Sequence, residues 1–269
     1  MEKAKVLYVN QEINPYLPKS YMSLMGRELP QVTQESKKEI RTFMPRFGLV
    51  NERRNQLHEV IRLSGMNLII NDMDHPLIIK VASIQSARMQ VYFIDNEDYF
   101  HRKFIFRDKS EKFFKDNDER SIFYARGVIE TVKKLGWAPD IIHINGWFGS
   151  LVPMYLRRIF QDNPLFEDSK IVLSLYNDGF DEKLDSGFVE KLIHEGLDKD
   201  DTLHYNENSY VGIMKSAIDL SDAIIYSEKE INPEIDEYVK ASNKKTFKYV
   251  DSESFAKDYN LFYDELLEA

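Results

Sequence analysis

Pro139-Asp140-Ile141-Ile142-His143-Ile144-Asn145-Gly146-Trp147 carries a continuous apolar segment straight into a loop. The stretch from Asp140 to Asn145 lacks polar alternation, which predicts a strand covered on both faces, as in the interior of a parallel sheet. Polar groups arrive only toward its end, His143 and Asn145, followed by the indole of Trp147. A helix-like segment from Leu151 to Leu156 follows at once. In open α/β sheets ligands collect outside the carboxyl ends of parallel strands, which makes this turn the first candidate site.

The flanking sequence alternates in the same way. Lys5 to Asn10 reads as an opening buried strand, and Pro15 and Pro18 keep the next loop from starting a helix. A helix is predicted over about 21–28, ending before Pro30, and a second strand over 39–44, closed by Pro45. Between Leu57 and Asp95 four short β-like runs (57–63, 66–71, 77–84, 89–94) succeed one another. Ser64-Gly65 and Asp74-His75-Pro76 stand between them as turns, and no segment is long enough for a helix, so hairpins are expected. A helix capped by Asp118 and stopped by Gly136 follows, with Ile122, Ala125, Ile129, Val132 and Leu135 as its core-facing stripe. Strands over 140–145, 170–175 and 223–226, with helical segments over 151–160 and 209–219, complete a βαβ alternation. The expected fold is α/β: one Rossmann-like, open, mostly parallel sheet with helices on both faces and a β-hairpin-rich insertion around 57–95. It forms a single domain over 1–269, with a charged helical extension from about 229 that ends in 255–267.

Composition narrows the function. The chain has 269 residues, 43% hydrophobic and 13% aromatic, enough for a sizeable core. Its net charge of −9 repels phosphate backbones, so no nucleic-acid partner is expected. No cysteine is present, which excludes disulfides, thiolate nucleophiles and sulfur-ligated metals. The N-terminus lacks a signal-peptide pattern and no stretch approaches the ~20 apolar residues that span a bilayer, so a soluble cytoplasmic protein without membrane attachment is expected. The histidines (58, 75, 101, 143, 194, 204) show no ligand spacing, and Asp178, Asp181, Glu182 and Asp185 around Gly179 lack the calcium-loop pattern; no metal and no cofactor are predicted. Asp116, Asp118 and Glu119 sit at a helix start, where carboxylates favour the positive end of the dipole. Phosphate-loop, dinucleotide-binding and nucleophile-elbow spacings are missing.

Several stretches in order carry a family likeness. Val9-Asn10-Gln11-Glu12-Ile13-Asn14-Pro15 and Glu28-Leu29-Pro30 open the series, followed by Met44-Pro45-Arg46-Phe47-Gly48 and Phe93-Ile94-Asp95-Asn96 with Tyr99-Phe100. Asp116-Asn117-Asp118-Glu119-Arg120 and Leu135-Gly136-Trp137-Ala138-Pro139-Asp140-Ile141-Ile142-His143 complete it. In this arrangement the chain resembles the N-terminal domain of bacterial glycogen synthases and plant starch synthases. The resemblance implies one half of a two-domain GT-B glycosyltransferase that transfers glucose from ADP-glucose to an α-1,4-glucan. It also implies that this half mainly faces the acceptor, while the other half carries most of the nucleotide site.

Three departures bear on chemistry. The family's Lys-(x)-Gly-Gly motif falls on Pro18-Lys19-Ser20-Tyr21, where side chains replace the glycines that let a backbone approach phosphate. Lys19 is either an anion contact or a surface lysine. The His-Ala-His-Asp-Trp-His loop falls on His143-Ile144-Asn145-Gly146-Trp147-Phe148, leaving His143 as its single group able to titrate near neutrality. His143 can serve the site or simply hydrogen-bond at a strand end; Trp147 and Phe148 can stack on a sugar or pack against the sheet. The Val-His-Asn segment becomes Leu175-Tyr176-Asn177, keeping the amide. No catalytic residue is nominated; Lys19, His143, Asn145, Trp147 and Asn177 are the ligand-binding candidates.

The chain stops at Ala269, where the family would continue into its second half, so self-sufficient catalysis is not expected. The leading expectation is a binding or regulatory half-domain in glycogen metabolism, with an α-glucan or a glycosyltransferase as partner. The alternatives are an active glucosyltransferase using ADP-glucose as donor, alone or with a separately encoded half, and a non-catalytic interaction scaffold. Oligomeric state is left open.

Overall fold

The computed structural model describes residues 3–251 and 255–268. Its strands are Lys5–Asn10 (β1), Glu39–Pro45 (β2), His58–Glu59 (β3), Met66–Ile70 (β4), Met73–Ile84 (β5), Met89–Asp95 (β6), Ile141–Asn145 (β7), Lys170–Leu175 (β8), Ala223–Tyr226 (β9) and Lys245–Phe247 (β10). They order as β10-β9-β8-β7-β1-β2-β6-β5-β3, with β4 beside β5. Every pairing from β10 through to β6 is parallel. β5 pairs antiparallel with β3, β4 and β6. This is the open, mostly parallel sheet expected, with antiparallel strands supplied by the 57–95 insertion.

The helices are Tyr21–Glu35 (α1), Glu52–Asn55 (α2), Glu97–Phe100 (α3), Asn117–Leu135 (α4), Val152–Met154 (α5), Phe188–His194 (α6), Tyr210–Asp219 (α7), Pro233–Ala241 (α8) and Phe255–Leu267 (α9). Side-chain alternation along the central strands assigns them to two faces. Tyr8 of β1 and His143 of β7 stand opposite each other in register and meet Thr33 of α1 and Tyr263 of α9. Val9 and Ile144 face the other way, toward Gly149 and Tyr124 of α4. The strands β1, β7 and β8 are buried almost throughout, which is why they read as unbroken apolar runs.

Four local expectations change. α1 does not stop before Pro30 but runs through it to Glu35. Proline there removes one hydrogen bond and crowds the carbonyl of Gly26; burial of Leu29, Pro30 and Thr33 outweighs that penalty. Asp74-His75-Pro76 lies inside β5, and the hairpin turns instead at Asn71-Asp72, both with positive φ. Pro76 is tolerated because it pairs only with Asn67 of the short outer strand β4. Asp118 does not cap α4: Asp116 occupies the cap position, and Asp118 is buried against the Lys191 ammonium at 2.7 Å. The segment beyond 229 adds a strand, β10, to the main sheet, and α9 packs on α1.

Candidate functional site

The carboxyl ends of β1, β7, β8 and β9 open onto one edge of the sheet, and the loops after them build a crevice. Its geometry begins at Gly146, which holds φ 92° immediately after β7. A Cβ there would lie 2.7 Å from Cβ of Gln11, whose own Oε1 accepts from the backbone N–H of Phe148 at 3.1 Å. Gly146→Ala is therefore expected to destabilise by about 1–3 kcal/mol, read as a shift in the urea unfolding midpoint at unchanged slope. A midpoint equal to that of the unaltered chain would show that the turn relaxes freely.

His143 does not reach this crevice. It occupies the middle of β7, in register with Tyr8 and Val172, and is fully buried. Its Nδ1 lies 2.5 Å from the Tyr263 hydroxyl and its Nε2 2.6 Å from Ser174 Oγ. A neutral imidazole satisfies both contacts, donating through one nitrogen and accepting through the other. Burial pushes its pKa down to about 3. Of the two roles open to His143 in the sequence, the structural one is what the geometry supports, with α9 as the unexpected cover.

The other candidates divide between core and surface. Asn145 is buried, and its Oδ1 accepts from the Tyr176 hydroxyl at 3.0 Å. Trp147 is buried within a cage of Phe106, Phe113, Phe148 and Phe180, which is the packing role. Lys19 is exposed and forms no ion pair or hydrogen bond among the described residues; the Ser20 beside it caps α1. Asn177 is exposed, with its backbone N–H given to Glu228 at 2.8 Å. Tyr21 lies 6.5 Å from Tyr176, ring to ring, so the Lys19 loop and the Asn177 loop open at the same edge.

Beside Asn177 lies a cleft of about 320 Å³ lined by Gly179, Phe180, Ser209, Tyr210 and Asn232. Asp178, between the lining residues Asn177 and Gly179, turns its carboxyl into the fold instead. One carboxyl oxygen accepts from the Trp147 backbone N–H at 2.8 Å and the other from the Tyr210 hydroxyl at 3.3 Å. Burial dominates over those two hydrogen bonds and pushes its pKa up to about 7. Asp178 belongs to an acidic cluster in the sequence and carries no role there; its place directly after β8 is the signal that would have singled it out.

Glu52, Asp95 and His101 bring three ligand-type atoms within 4.8 Å of one another. The Lys80 ammonium sits 2.7 Å from Glu52 and 2.8 Å from Asp95, and Arg46 also pairs with Glu52. A resident cationic side chain thus already neutralises this group, and a metal ion would have to displace it.

The parallel sheet with a crevice at its carboxyl edge defines an α/β domain of the kind that forms one half of a GT-B glycosyltransferase. Residues 5–243 match the family described as the starch synthase catalytic domain. Glycogen synthase of Chlorobium phaeobacteroides is 35% identical over 227 residues, covering 84% of this chain and 46% of that protein. Glycogen synthase of Chlorobium limicola is 38% identical over 174 residues, covering 64% of this chain and 36% of that one. The catalytic domain of Starch Synthase IV from Arabidopsis thaliana, bound to ADP and acarbose, superposes with a TM-score of 0.74 over 94% of this chain and 53% of its own, at 16% identity. That likeness speaks for the fold. The chain belongs to the starch synthase catalytic domain family, and it spans under half the length of these curated relatives. Among the described residues, no helix is long and apolar enough to cross a membrane.

Proposed function

We propose that this chain acts in α-glucan metabolism as a glycogen/starch-synthase-like half-domain that binds glucan, and that it does not transfer glucose by itself. The observation that carries this reading is the sealing of His143: the loop's one group able to titrate near neutrality is buried, neutral and satisfied on both nitrogens. General acid–base work needs a group that exchanges protons with substrate near the operating pH. The cleft beside Asn177 suits recognition instead. It offers an amide at Asn177 and the half-exposed ring of Phe180, a combination that suits a sugar's hydroxyls and its apolar face.

Affinity electrophoresis with glycogen in the gel tests the binding. Retarded migration is expected, and replacing Phe180 with alanine is expected to reduce the retardation by about three- to tenfold in apparent affinity. Unretarded migration of the unaltered chain, together with no capture of a glycosyltransferase partner, would sink the proposal.

One observation favours a second reading, ADP-glucose-dependent glucosyl transfer. The Asp178 carboxyl, pushed up to about 7, has the proton affinity of an acid–base group and belongs to the residue between Asn177 and Gly179 of the cleft. Both its oxygens are committed within the fold, which is why binding is placed first.

A further inference from the structure

A second concave site lies at the β10 edge of the sheet, next to the Asn177 cleft but lined by other residues. Edge strand β10 alternates its side chains strictly. Lys245 and Phe247 turn toward α9, where Lys245 pairs with Glu265 and Phe247 packs on Tyr259 and Phe262. Thr246 and Lys248 turn the opposite way and, with α8, enclose a groove of about 490 Å³. That volume falls in the range of small-molecule sites.

The lining is unusual for a chain of net charge −9. Lys229, Lys240, Lys244 and Lys248 converge on the groove against two carboxylates, Glu228 and Asp236. Two of the lysines are already engaged: Lys240 pairs with Asp236 at 2.6 Å, and Lys244 donates to the carbonyls of Asp219 and Ser221. Glu228 is likewise engaged, accepting the Asn177 N–H. Lys229 and Lys248 are exposed and have no ion-pair or hydrogen-bond partner among the described residues. Tyr226 and Tyr249 supply aromatic walls beside them.

We infer that this groove binds a phosphorylated small molecule, with its phosphate on Lys229 and Lys248 and its ring against Tyr226 and Tyr249. Two uncommitted ammonium groups beside aromatic surface match a dianionic head joined to a ring. A bare anion would leave the tyrosines unused, and a neutral sugar would leave the lysines unpaired. A nucleotide and a phosphosugar share that chemistry. The inference is independent of glucan binding, because the groove and the Asn177 cleft are lined by different residues.

Calorimetric titration of the full chain at low salt with ADP and, separately, with glucose 1-phosphate tests it. At least one is expected to bind, and the tighter of the two identifies the source of the phosphate. Lys229→Ala/Lys248→Ala is expected to weaken that binding by about tenfold or more, while Lys229→Arg/Lys248→Arg retains it. Because both side chains are exposed, thermal unfolding of the pair should match that of the unaltered chain, and glycogen retardation should persist. The inference is overturned if neither ligand binds, if the alanine pair binds as well as the unaltered chain, or if Lys19→Ala abolishes the binding and the pair does not.

Discussion

Replacing Tyr263 with alanine is expected to destabilise the fold by about 3–5 kcal/mol for the lost aromatic volume alone. The side chain is fully buried, and its hydroxyl lies 2.5 Å from His143 Nδ1. Truncation therefore also strands a buried polar nitrogen, adding about 1–3 kcal/mol. Tyr263→Phe keeps the ring and is expected to cost only that smaller amount. Leu261, two residues away and 62% exposed, provides the control: Leu261→Ala should stay within about 0.5 kcal/mol. Equilibrium urea unfolding of the three variants reads the series directly. Equal effects at Tyr263 and Leu261 would mean that α9 does not seal the sheet.

The second large effect is a pH dependence that belongs to His143. Its folded pKa lies at about 3 against an ordinary value of 6.5, because burial disfavours the imidazolium. Tyr8, Tyr259 and Tyr263 are the rings packed against it, and none of them supplies a counter-charge near neutrality. Between these two values the unfolded chain binds the proton and the folded chain does not, so stability rises with pH. It is complete above 6.5 and is lost as pH falls, at about 1.4 kcal/mol per unit. Asp178 acts with the opposite sign, since its raised pKa favours the folded state as pH falls below about 7. The difference in unfolding free energy between the unaltered chain and His143→Gln cancels the Asp178 contribution. That difference is expected to shift by roughly 2–3 kcal/mol between pH 6 and pH 4 against the unaltered chain. A pH-independent difference would show that the ring protonates within the fold and reaches solvent.

The parallel half of the fold was legible because its strands are buried on both faces, leaving uninterrupted apolar runs at β1, β7 and β8. Gly136 marked the end of α4 because only a left-handed residue closes it there. Local signals failed where tertiary packing overrode them. Pro30 looked like a stop, yet the face it shares with Leu29 and Thr33 is buried. β10 is three residues long, with two exposed positions, too short for a periodicity. At the site, residue type left His143 open between a site role and a structural one. The sequence shows a histidine near the end of a strand, and only the docking of α9, 120 residues away, makes it part of the core. Asp178 stayed hidden for the complementary reason: its raised pKa comes from burial, which arises only once β7, β8 and α7 are assembled around it and which outweighs the hydrogen bonds from Trp147 and Tyr210.

The central claim is that this chain binds glucan without elongating it. Incubating the purified full-length chain with labelled ADP-glucose and glycogen, then counting label in precipitated polysaccharide, tests it most directly. The account predicts no incorporation above a protein-free control, in the same preparation that glycogen retards in a gel. Incorporation that rises with protein concentration and disappears in Asp178→Asn would contradict it.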